Sequence, residues 1–274
     1  MTGLGRTKAR IDNGLEGERQ RSFPSVQSAL SPTTPALKLA LFDLDHTLLP
    51  IDSADTWSHF LVRVGGLDAQ DYGARIRHFA TTYKAGAFDV EGYLAFQMQL
   101  LARFPRAQLE AWREEFLRAH VFDHVRPEAE RLIDAHRRDG YELALVTGTH
   151  AFVTGPIAAR LHIDHLLAVR PESDAAGEFT GRYTGTHTYL DGKVRAVEQF
   201  LAARGLTLEQ CADSIFYSDS INDLPLLARV KRPVVTNGDA RLRAVAAERG
   251  WPTLELFDLH PGDLHSGDLH SSAA

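Results

Sequence analysis

An apolar run that ends in two acidic residues, within 39-LALFDLDHTLLP-50, most constrains what this chain can fold into. Residues 39–42 are typical of a strand buried on both faces, as the central strands of parallel sheets are. Asp43 and Asp45 follow the run, and side chains two positions apart on a strand point the same way. We therefore expect both carboxylates in one pocket, with Leu44 packed on the opposite side. Such a pair repels, which a protein tolerates where a cation or a reaction uses it.

The composition is that of an ordinary globular protein, with 44% hydrophobic and 24% charged residues among 274. The net charge of −6 indicates no basic face, so a nucleic-acid partner is not expected. No run of 18 apolar residues is present, which argues against a membrane partner. A single cysteine, Cys211, excludes a disulfide framework and a cysteine-built zinc site, and suits a cytoplasmic location. The sequence indicates no oligomeric state.

Residues 51–124 have a helical pattern throughout. Apolar residues recur at intervals of three and four, as at Trp57, Phe60 and Val64. Four helices are predicted, with breaks at Gly65-Gly66, Gly86 and Pro105. This segment is therefore predicted to be an all-helical cap inserted directly after the first strand.

Strands and helices alternate from residue 125 to residue 257. Together with residues 37–50 they predict an α/β core, in which helices cover both faces of a parallel sheet in three layers. Turn residues within 170–185 predict a small hairpin or flap. A helix over about 192–204 is predicted, with Asp191 as its cap.

The two ends of the chain have a different composition. Residues 1–36 are polar and contain several Gly and Ser residues, which predicts a disordered leader. Residues 258–274 contain the sequence GDLHS twice and are predicted to be a flexible tail.

Polar residues follow the predicted strands where ligands bind in open α/β sheets, beyond the carboxyl ends. Lys193 adds an ammonium from the first turn of a helix. The residues that follow the strand ends are Asp43, Asp45, Thr147, Gly148, Asp219, Asn222 and Asp223. Each has an ordinary alternative: Thr147 as a loop start, Lys193 as a solvated helix residue, and 218-SDSINDLP-225 as a capped turn. Because all these residues occur together at strand ends or at a helix start, a ligand-binding site is favoured over these alternatives.

The grouped carboxylates suit Mg²⁺, which prefers a few carboxylates plus waters and a phosphate oxygen. A hydroxyl, a backbone amide and a lysine suit the other phosphate oxygens. One carboxylate can attack phosphorus and a second, two residues away, can transfer protons. These residue types do not indicate which of Asp219 and Asp223 is the metal ligand.

The motifs DLDHT, the VTG threonine, the lysine and SDSIND resemble the four motifs of the haloacid dehalogenase-like phosphohydrolases, over residues 37–257. The helical insert after the first strand resembles the subgroup that includes phosphoserine phosphatase. The resemblance implies a Rossmann-like core, with a small helical cap over the site. It also implies Mg²⁺ as the cofactor.

The resemblance implies a role for each matching position. Asp43 would be the nucleophile and a metal ligand, and Asp45 the general acid and base, with its backbone carbonyl at the metal. Thr147 and the Gly148 amide would hold the phosphoryl group. Lys193 would neutralise charge on the nucleophile and the phosphoryl group, and Asp219 would bind the metal. Asp223 would orient either the metal's waters or Lys193. Asn222 would lie near the phosphate.

Substrate choice is expected to lie in the cap. Asp52 stands nine residues after Asp43, at the position where a glutamate binds the substrate ammonium in phosphoserine phosphatases. Asp52 is equally well explained as a helix N-cap. The sequence does not indicate which arginine of the cap would bind a substrate carboxylate. The candidates are Arg63, Arg75, Arg77 and Arg103. Phosphoserine and histidinol phosphate are both candidates.

The sequence thus predicts a Mg²⁺-dependent phosphomonoesterase that hydrolyses a small phosphorylated metabolite through an aspartyl-phosphate. Phosphotransfer to another alcohol is an alternative within the same chemistry. A phospho-accepting signalling domain fits less well, because the acid pair follows the first strand and a helical insert comes next. A Gly-x4-Gly-Lys-Ser/Thr loop is missing, so kinase chemistry lacks support.

Overall fold

The computed structural model describes residues 37–257. The predicted leader, 1–36, and the predicted tail, 258–274, lie outside the described residues. Within the described range no helix is both long enough and apolar enough to cross a bilayer.

A six-stranded parallel sheet forms the centre of the described chain, in the order β3-β2-β1-β6-β7-β8. Two further strands, β4 and β5, form the antiparallel hairpin expected within 170–185. The predicted α/β fold with a parallel sheet is confirmed. The strands are β1 (Lys38–Phe42), β2 (Glu142–Val146), β3 (His165–Leu167), β4 (Arg170–Ser173), β5 (Phe179–Thr184), β6 (Asp213–Ser218), β7 (Arg232–Thr236) and β8 (Thr253–Leu254).

Strand β1 is buried on both faces, as its apolar run predicts. Leu39 and Leu41 pack in one hydrophobic cluster, and Ala40 and Phe42 pack in another. All four side chains are fully buried. This alternation follows from the two-residue period of a strand, so each face of the sheet has its own core.

Helices cover both faces and fill the segment between β1 and β2. The first four are α1 (Ser53–Val64), α2 (Ala69–Ala85), α3 (Val90–Leu101) and α4 (Arg106–His120), with breaks where the sequence predicts them. The others are α5 (Pro127–Arg138), α6 (Ala151–Arg160), α7 (Asp191–Ala202), α8 (Leu224–Leu227) and α9 (Ala240–Arg249). The apolar residues of α5 and α6 belong to the cluster of Phe42, and those of α7, α8 and α9 to the cluster of Leu41.

The helices α1–α4 share a core with the α/β part. The fully buried Trp57 ring of α1 lies 5.1 Å from Phe116 of α4 and 6.0 Å from Phe152 of α6. Residues 37–257 fall within one compact unit. The division into a core of 37–50 and 125–257 and a cap of 51–124 therefore stays a prediction.

The start of α7 differs from the prediction. Asp191 is its first residue, and Leu190 takes the cap position without a side-chain cap. Leu190 has φ 50° and ψ −128°, a conformation that costs a non-glycine residue free energy of about 1–3 kcal/mol. This strained residue lies between Tyr189 and the turn that carries Lys193, and such a conformation persists only where surrounding contacts impose it.

The strand order reverses at β1. The chain runs outward from β1 to β2 and β3, and then returns to the other side of β1 with β6, β7 and β8. In open α/β sheets, ligands bind at such a switch point, beyond the carboxyl ends of the strands. The residues that follow β1, β2 and β6 therefore meet at one crevice.

Asn237 anchors the loop that follows β1. Its Nδ2 donates to the carbonyl of His46 at 2.9 Å, and its Oδ1 accepts from the Leu256 amide at 2.8 Å. Asn237 is buried with φ 50°, a conformation that asparagine adopts more readily than most residues. The end of β7 thereby holds the turn beyond Asp43 and Asp45.

We expect Asn237→Ala to lower the free energy of unfolding by about 2–3 kcal/mol, because it leaves two buried backbone groups unpaired and places alanine at positive φ. Asn237→Gly, which removes only the hydrogen bonds, is expected to lose less. Urea unfolding of the three proteins measures both changes. Equal stability of Asn237→Ala and the wild type would contradict this account of the anchor.

Candidate active site

One cavity of about 550 Å³ opens at the carboxyl edge of the sheet, between the α/β part and the helices α1–α3. It is lined by all nine residues that the sequence singles out. These are Asp43, Asp45, Asp52, Thr147, Gly148, Lys193, Asp219, Asn222 and Asp223.

A buried ion-pair network lies at the floor of this cavity. The Lys193 ammonium contacts Asp43 Oδ1 at 2.8 Å and Asp223 Oδ2 at 2.6 Å. Ser218 Oγ, at the end of β6, donates to the same Asp223 oxygen at 2.7 Å. Burial alone would lower the pKa of Lys193, but the carboxylates of Asp223 and Asp43 raise it above its ordinary value. The ammonium therefore stays charged between two carboxylates.

Asp219 lies beside this network without contacting the lysine. Thr47 Oγ1 donates to Asp219 Oδ1 at 3.1 Å and accepts from the Asp219 amide at 3.0 Å. Burial, followed by the charges of Asp43 and Asp223, raises the pKa of Asp219 well above its ordinary value. Burial raises the pKa of Asp223 to about 6, although Lys193 opposes the shift. Three carboxylates thus face one ammonium.

The carboxyl group of Asp45 is held on both oxygens. Oδ1 accepts from the Ser53 amide at 2.8 Å, and Oδ2 accepts from Thr149 Oγ1 at 2.8 Å. Burial raises the pKa of Asp45 to about 6, the Ser53 bond opposes the shift and Asp43 adds to it. Leu44, between the two acids, is fully buried as expected. Asp43 and Asp45 therefore share a cavity but differ in partners.

Thr147 and Gly148 follow β2 and form one wall of the cavity. The Thr147 hydroxyl accepts from the Thr149 amide at 3.2 Å. A Cβ on Gly148 would lie 2.5 Å from the ring of Tyr189, which is closer than any side chain tolerates. The absence of a side chain at Gly148 therefore lets Tyr189 pack directly on the backbone here.

Asn222 lies on the loop between β6 and α8. Its backbone amide donates to Ser220 Oγ at 3.2 Å, which begins the 3₁₀ turn Ile221–Asp223. Its side-chain Nδ2 is buried and makes no hydrogen bond within residues 37–257. A buried donor without a partner is costly, which indicates that an acceptor enters the cavity here.

Asp52 is both the N-cap of α1 and part of the cavity wall. Its Oδ1 accepts from the Asp55 amide at 2.8 Å, so the N-cap interpretation is correct. Burial raises the pKa of Asp52 to about 7, and the charges of Asp45 and Asp55 contribute. An aromatic group lies on the same side of the cavity, with ring centroids 5.1–5.7 Å apart. It comprises Tyr83, Phe88, Tyr93 and Tyr189.

None of the four arginines considered for a substrate carboxylate lines the cavity. Arg63, Arg75, Arg77 and Arg103 are all exposed. Arg75 stacks on Phe96 at 4.6 Å, and Arg63 lies over Phe60 at 5.3 Å. Which arginine would bind a substrate carboxylate therefore stays open, with none of the four at this cavity.

Several residues of the site were missed from the sequence. Thr47, Thr149 and Ser218 hold the predicted acids, and each lies in or next to a recognised motif, where a search for hydroxyls would have found them. Tyr83 and Tyr93 reach the cavity from α2 and α3. No pattern in the sequence indicates which face of these helices meets the sheet.

The acid group suits a small divalent cation that keeps part of its water shell. Within residues 37–257, no group of three or more His, Cys, Asp or Glu side chains is arranged to hold a metal ion. Mg²⁺ commonly needs only one or two carboxylates, with waters and a phosphate oxygen. The hydrogen bonds above use one carboxylate oxygen of Asp43, Asp219 and Asp223 but both of Asp45, so the first three fit that set.

The contact between Gly148 and Tyr189 predicts that Gly148→Ala lowers the free energy of unfolding by about 1–3 kcal/mol, the usual cost of overpacking. Gly155→Ala is the matched control, because a Cβ there meets nothing within 4 Å in helix α6. It should stabilise by about 0.5–1 kcal/mol. Urea unfolding compares the two variants. Full stability of Gly148→Ala would show that Tyr189 moves away freely.

Comparison with known proteins agrees with this geometry. Residues 40–228 match the family model described as haloacid dehalogenase-like hydrolase. A histidinol-phosphatase from Neisseria meningitidis is 36% identical over 216 residues, which cover 79% of this chain and 97% of that protein. A phosphoserine phosphatase from Mycobacterium tuberculosis is 32% identical over 238 residues, which cover 82% of this chain and 74% of that protein.

Solved structures show the same fold. A Bordetella pertussis protein of unknown function superposes with a TM-score of 0.76 and 42% identity, over 81% of this chain and all of that one. A phosphoserine phosphatase determined as an analogue of its phospho-aspartyl intermediate has a TM-score of 0.58 and 21% identity, over 82% and 96% of the two chains. The family model and the named relatives confirm the prediction that the chain is a phosphatase. The chain belongs to the haloacid dehalogenase-like hydrolase family.

Proposed function

We propose that this protein is a Mg²⁺-dependent phosphomonoesterase that acts through an aspartyl-phosphate on a small, amine-bearing phosphate ester, with histidinol phosphate as the leading substrate. The observation that carries the proposal is the network of Lys193, Asp43 and Asp223 beside Asp219 at the floor of a closed-in cavity. It supplies a held nucleophile and cationic charge where a phosphoryl group would lie.

In the first half-reaction a carboxylate oxygen of Asp43 attacks phosphorus, and the bond from phosphorus to the substrate oxygen breaks. Asp45 gives its proton to the leaving alkoxide, which departs as an alcohol. A pKa of about 6 leaves Asp45 partly protonated near neutral pH, as a general acid requires. Its bonds to Ser53 and Thr149 fix the direction of that proton.

In the second half-reaction Asp45, now ionised, takes a proton from water, and the water oxygen attacks the phosphorus of the aspartyl-phosphate. The bond between phosphorus and Asp43 breaks, which releases inorganic phosphate and restores both acids. Thr147, the Gly148 amide and the unpaired Nδ2 of Asn222 are the donors proposed for the phosphoryl oxygens. Lys193 neutralises charge on Asp43 throughout.

Asp43, Asp219 and the backbone carbonyl of Asp45 are the ligands proposed for Mg²⁺. When bound, the ion supplies charge stabilisation to the phosphoryl oxygens. Asp223 is assigned a different task, because Lys193 and Ser218 already occupy its Oδ2. It holds the ammonium in place.

The opposite side of the cavity supports an amine-bearing substrate without a carboxylate. Asp52 contributes negative charge, and the aromatic group beside it suits a cation or a flat heterocycle. The arginines expected to read a carboxylate are absent from this wall. Three other cations line the cavity, Lys84, Arg241 and Arg243, but all three are exposed, so water would weaken any pairing with a carboxylate there.

The names of the relatives agree with this class of substrate. The Neisseria relative, matched over nearly its whole length, is named a histidinol-phosphatase, and others are named phosphoserine phosphatases. Histidinol phosphate carries an amine and an imidazole but no carboxylate, which fits the wall described here. A cytoplasmic location remains a prediction.

The nucleophile assignment predicts that Asp43→Asn lowers kcat for an aryl phosphate by at least about 1000-fold, because covalent catalysis is lost. Wild-type turnover should stop with a chelator and return with Mg²⁺. Asp71→Asn, on the exposed face of α2, is the control and should keep full activity. Release of inorganic phosphate is measured. Activity of Asp43→Asn above about a thousandth of wild type would remove Asp43 from this role.

Asp52→Asn should lower kcat/KM for histidinol phosphate by about 10–100-fold, because a charge pair is lost while asparagine still caps the helix. The value for a neutral aryl phosphate should change less than about twofold. Assays at pH 8 keep Asp52, with its pKa of about 7, largely ionised. Asp68→Asn, at the exposed N-cap of α2, is the matched control. An unchanged preference would leave Asp52 as a helix cap alone.

A further inference from the structure

A tyrosine hydroxyl from the helical insert meets the loop that carries three of the acidic and amide groups of the site. Tyr83, in the last turn of α2, has its hydroxyl 3.1 Å from Ser220 Oγ. Ser220 lies between Asp219 and Asn222, and is itself buried. Both Tyr83 and Ser220 line the cavity.

Ser220 occupies a structural position in this loop. Its Oγ accepts from the Asn222 amide at 3.2 Å and begins the 3₁₀ turn Ile221–Asp223. Its own amide donates to Ser218 Oγ at 3.2 Å. Ser218 Oγ in turn donates to Asp223, which contacts Lys193. A continuous series of contacts therefore links Tyr83 to the ammonium that holds Asp43.

The core side of the loop is fixed separately. Asp239 Oδ2 accepts from the Ile221 amide at 2.8 Å, and the Asp239 amide donates to the Asp219 carbonyl at 2.7 Å. Within residues 37–257, the Tyr83 hydroxyl is the side-chain hydrogen-bonding group that the insert contributes to this loop. Removing it would leave Ser220 Oγ held through the Asn222 amide, without its contact to the insert, and would loosen the turn on the side that faces the cavity.

The Tyr83 hydroxyl lies near charged groups of the proposed reaction. Burial raises its pKa, and the nearby carboxylates of Asp223 and Asp219 raise it further, while Lys193 opposes them. The hydroxyl therefore stays protonated and keeps a hydrogen to donate. The ring is held independently of the hydroxyl, in an edge-on contact with Phe88 at 5.1 Å.

We infer that Tyr83 is a positioning residue, through which the helical insert holds the loop of residues 219–223 in its active arrangement. This rests on the proposed phosphatase function, since the loop supplies Asp219, Asn222 and Asp223 to that reaction.

Tyr83→Phe tests this, because it keeps the ring and removes the hydroxyl. We expect kcat for an aryl phosphate with saturating Mg²⁺ to fall about 10-fold, the loss expected for one hydrogen bond between polar groups near a charge, with KM changed less than about twofold. The melting temperature should stay within about 2 °C of wild type, since packing is kept.

A double-mutant cycle with Ser220→Ala separates positioning from a general loss of structure. Ser220→Ala also removes the acceptor of the Asn222 amide, so it is expected to lose at least as much activity as Tyr83→Phe. Because Tyr83 acts through the Ser220 hydroxyl, the double variant should lose no more than Ser220→Ala alone. Tyr183→Phe is the matched control. That hydroxyl also joins the insert to the core, by donating to Glu91 at 3.1 Å, but it lies outside the cavity, so kcat should not change.

Binding of inorganic phosphate to the Mg²⁺-loaded protein, measured by calorimetry, gives a second reading that needs no turnover. Like KM, its affinity should change less than about twofold in Tyr83→Phe. Wild-type kcat in Tyr83→Phe, a phosphate affinity that falls as far as kcat in that variant, or a double variant that loses more than Ser220→Ala alone would overturn the inference. Failure of the wild type to hydrolyse any phosphate ester would instead count against the proposed function.

Discussion

The contact of one buried ammonium with two buried carboxylates is the interaction on which the site depends. Lys193 can stay charged in a buried position only because Asp43 and Asp223 are within 2.8 Å of it. Removing one member of such a group leaves an unpaired buried charge, which costs about 3–5 kcal/mol. Asp43 is thereby held where the proposed reaction requires it. Within residues 37–257, Asp219 has no ion pair with an ammonium, which is the charge imbalance that a divalent cation would correct.

The fold brings these groups together through strand order alone. Because the sheet reverses direction at β1, the residues that follow β1, β2 and β6 meet beyond one edge. The turn after β1 is then fixed by Asn237 from the end of β7, and the strained Leu190 directly precedes the turn of α7 that carries Lys193. Helices α1–α3 complete the cavity with Asp52 and aromatic rings. The proposed function takes its chemistry from the sheet edge and its substrate choice from the insert.

How far the sequence predicts this protein depends on which physical rule governs each residue. The sheet, the four inserted helices and eight of the nine predicted cavity residues follow from local periodicity and from the rule that strand ends meet at one edge. Asp52 follows from the family resemblance. The positions of the four arginines and of Tyr83 do not follow, because periodicity defines the faces of a helix but not which face meets the core. Asp191 was misjudged as a cap for a related reason: tertiary contacts of Tyr189 and Lys193 set the backbone at Leu190. The acids of a motif were found, whereas the hydroxyls that hold them, such as Thr149, were overlooked.

Chemical trapping of the phosphoryl group tests the central claim most directly. Enzyme turning over a ³²P-labelled ester is quenched in acid, digested and mapped by mass spectrometry. The account predicts alkali-labile label on the peptide that contains Asp43, with none on peptides that contain Asp219 or Asp223. Label on a different residue, or turnover with no trapped phosphoryl group under conditions that trap a known aspartyl-phosphate, would contradict it.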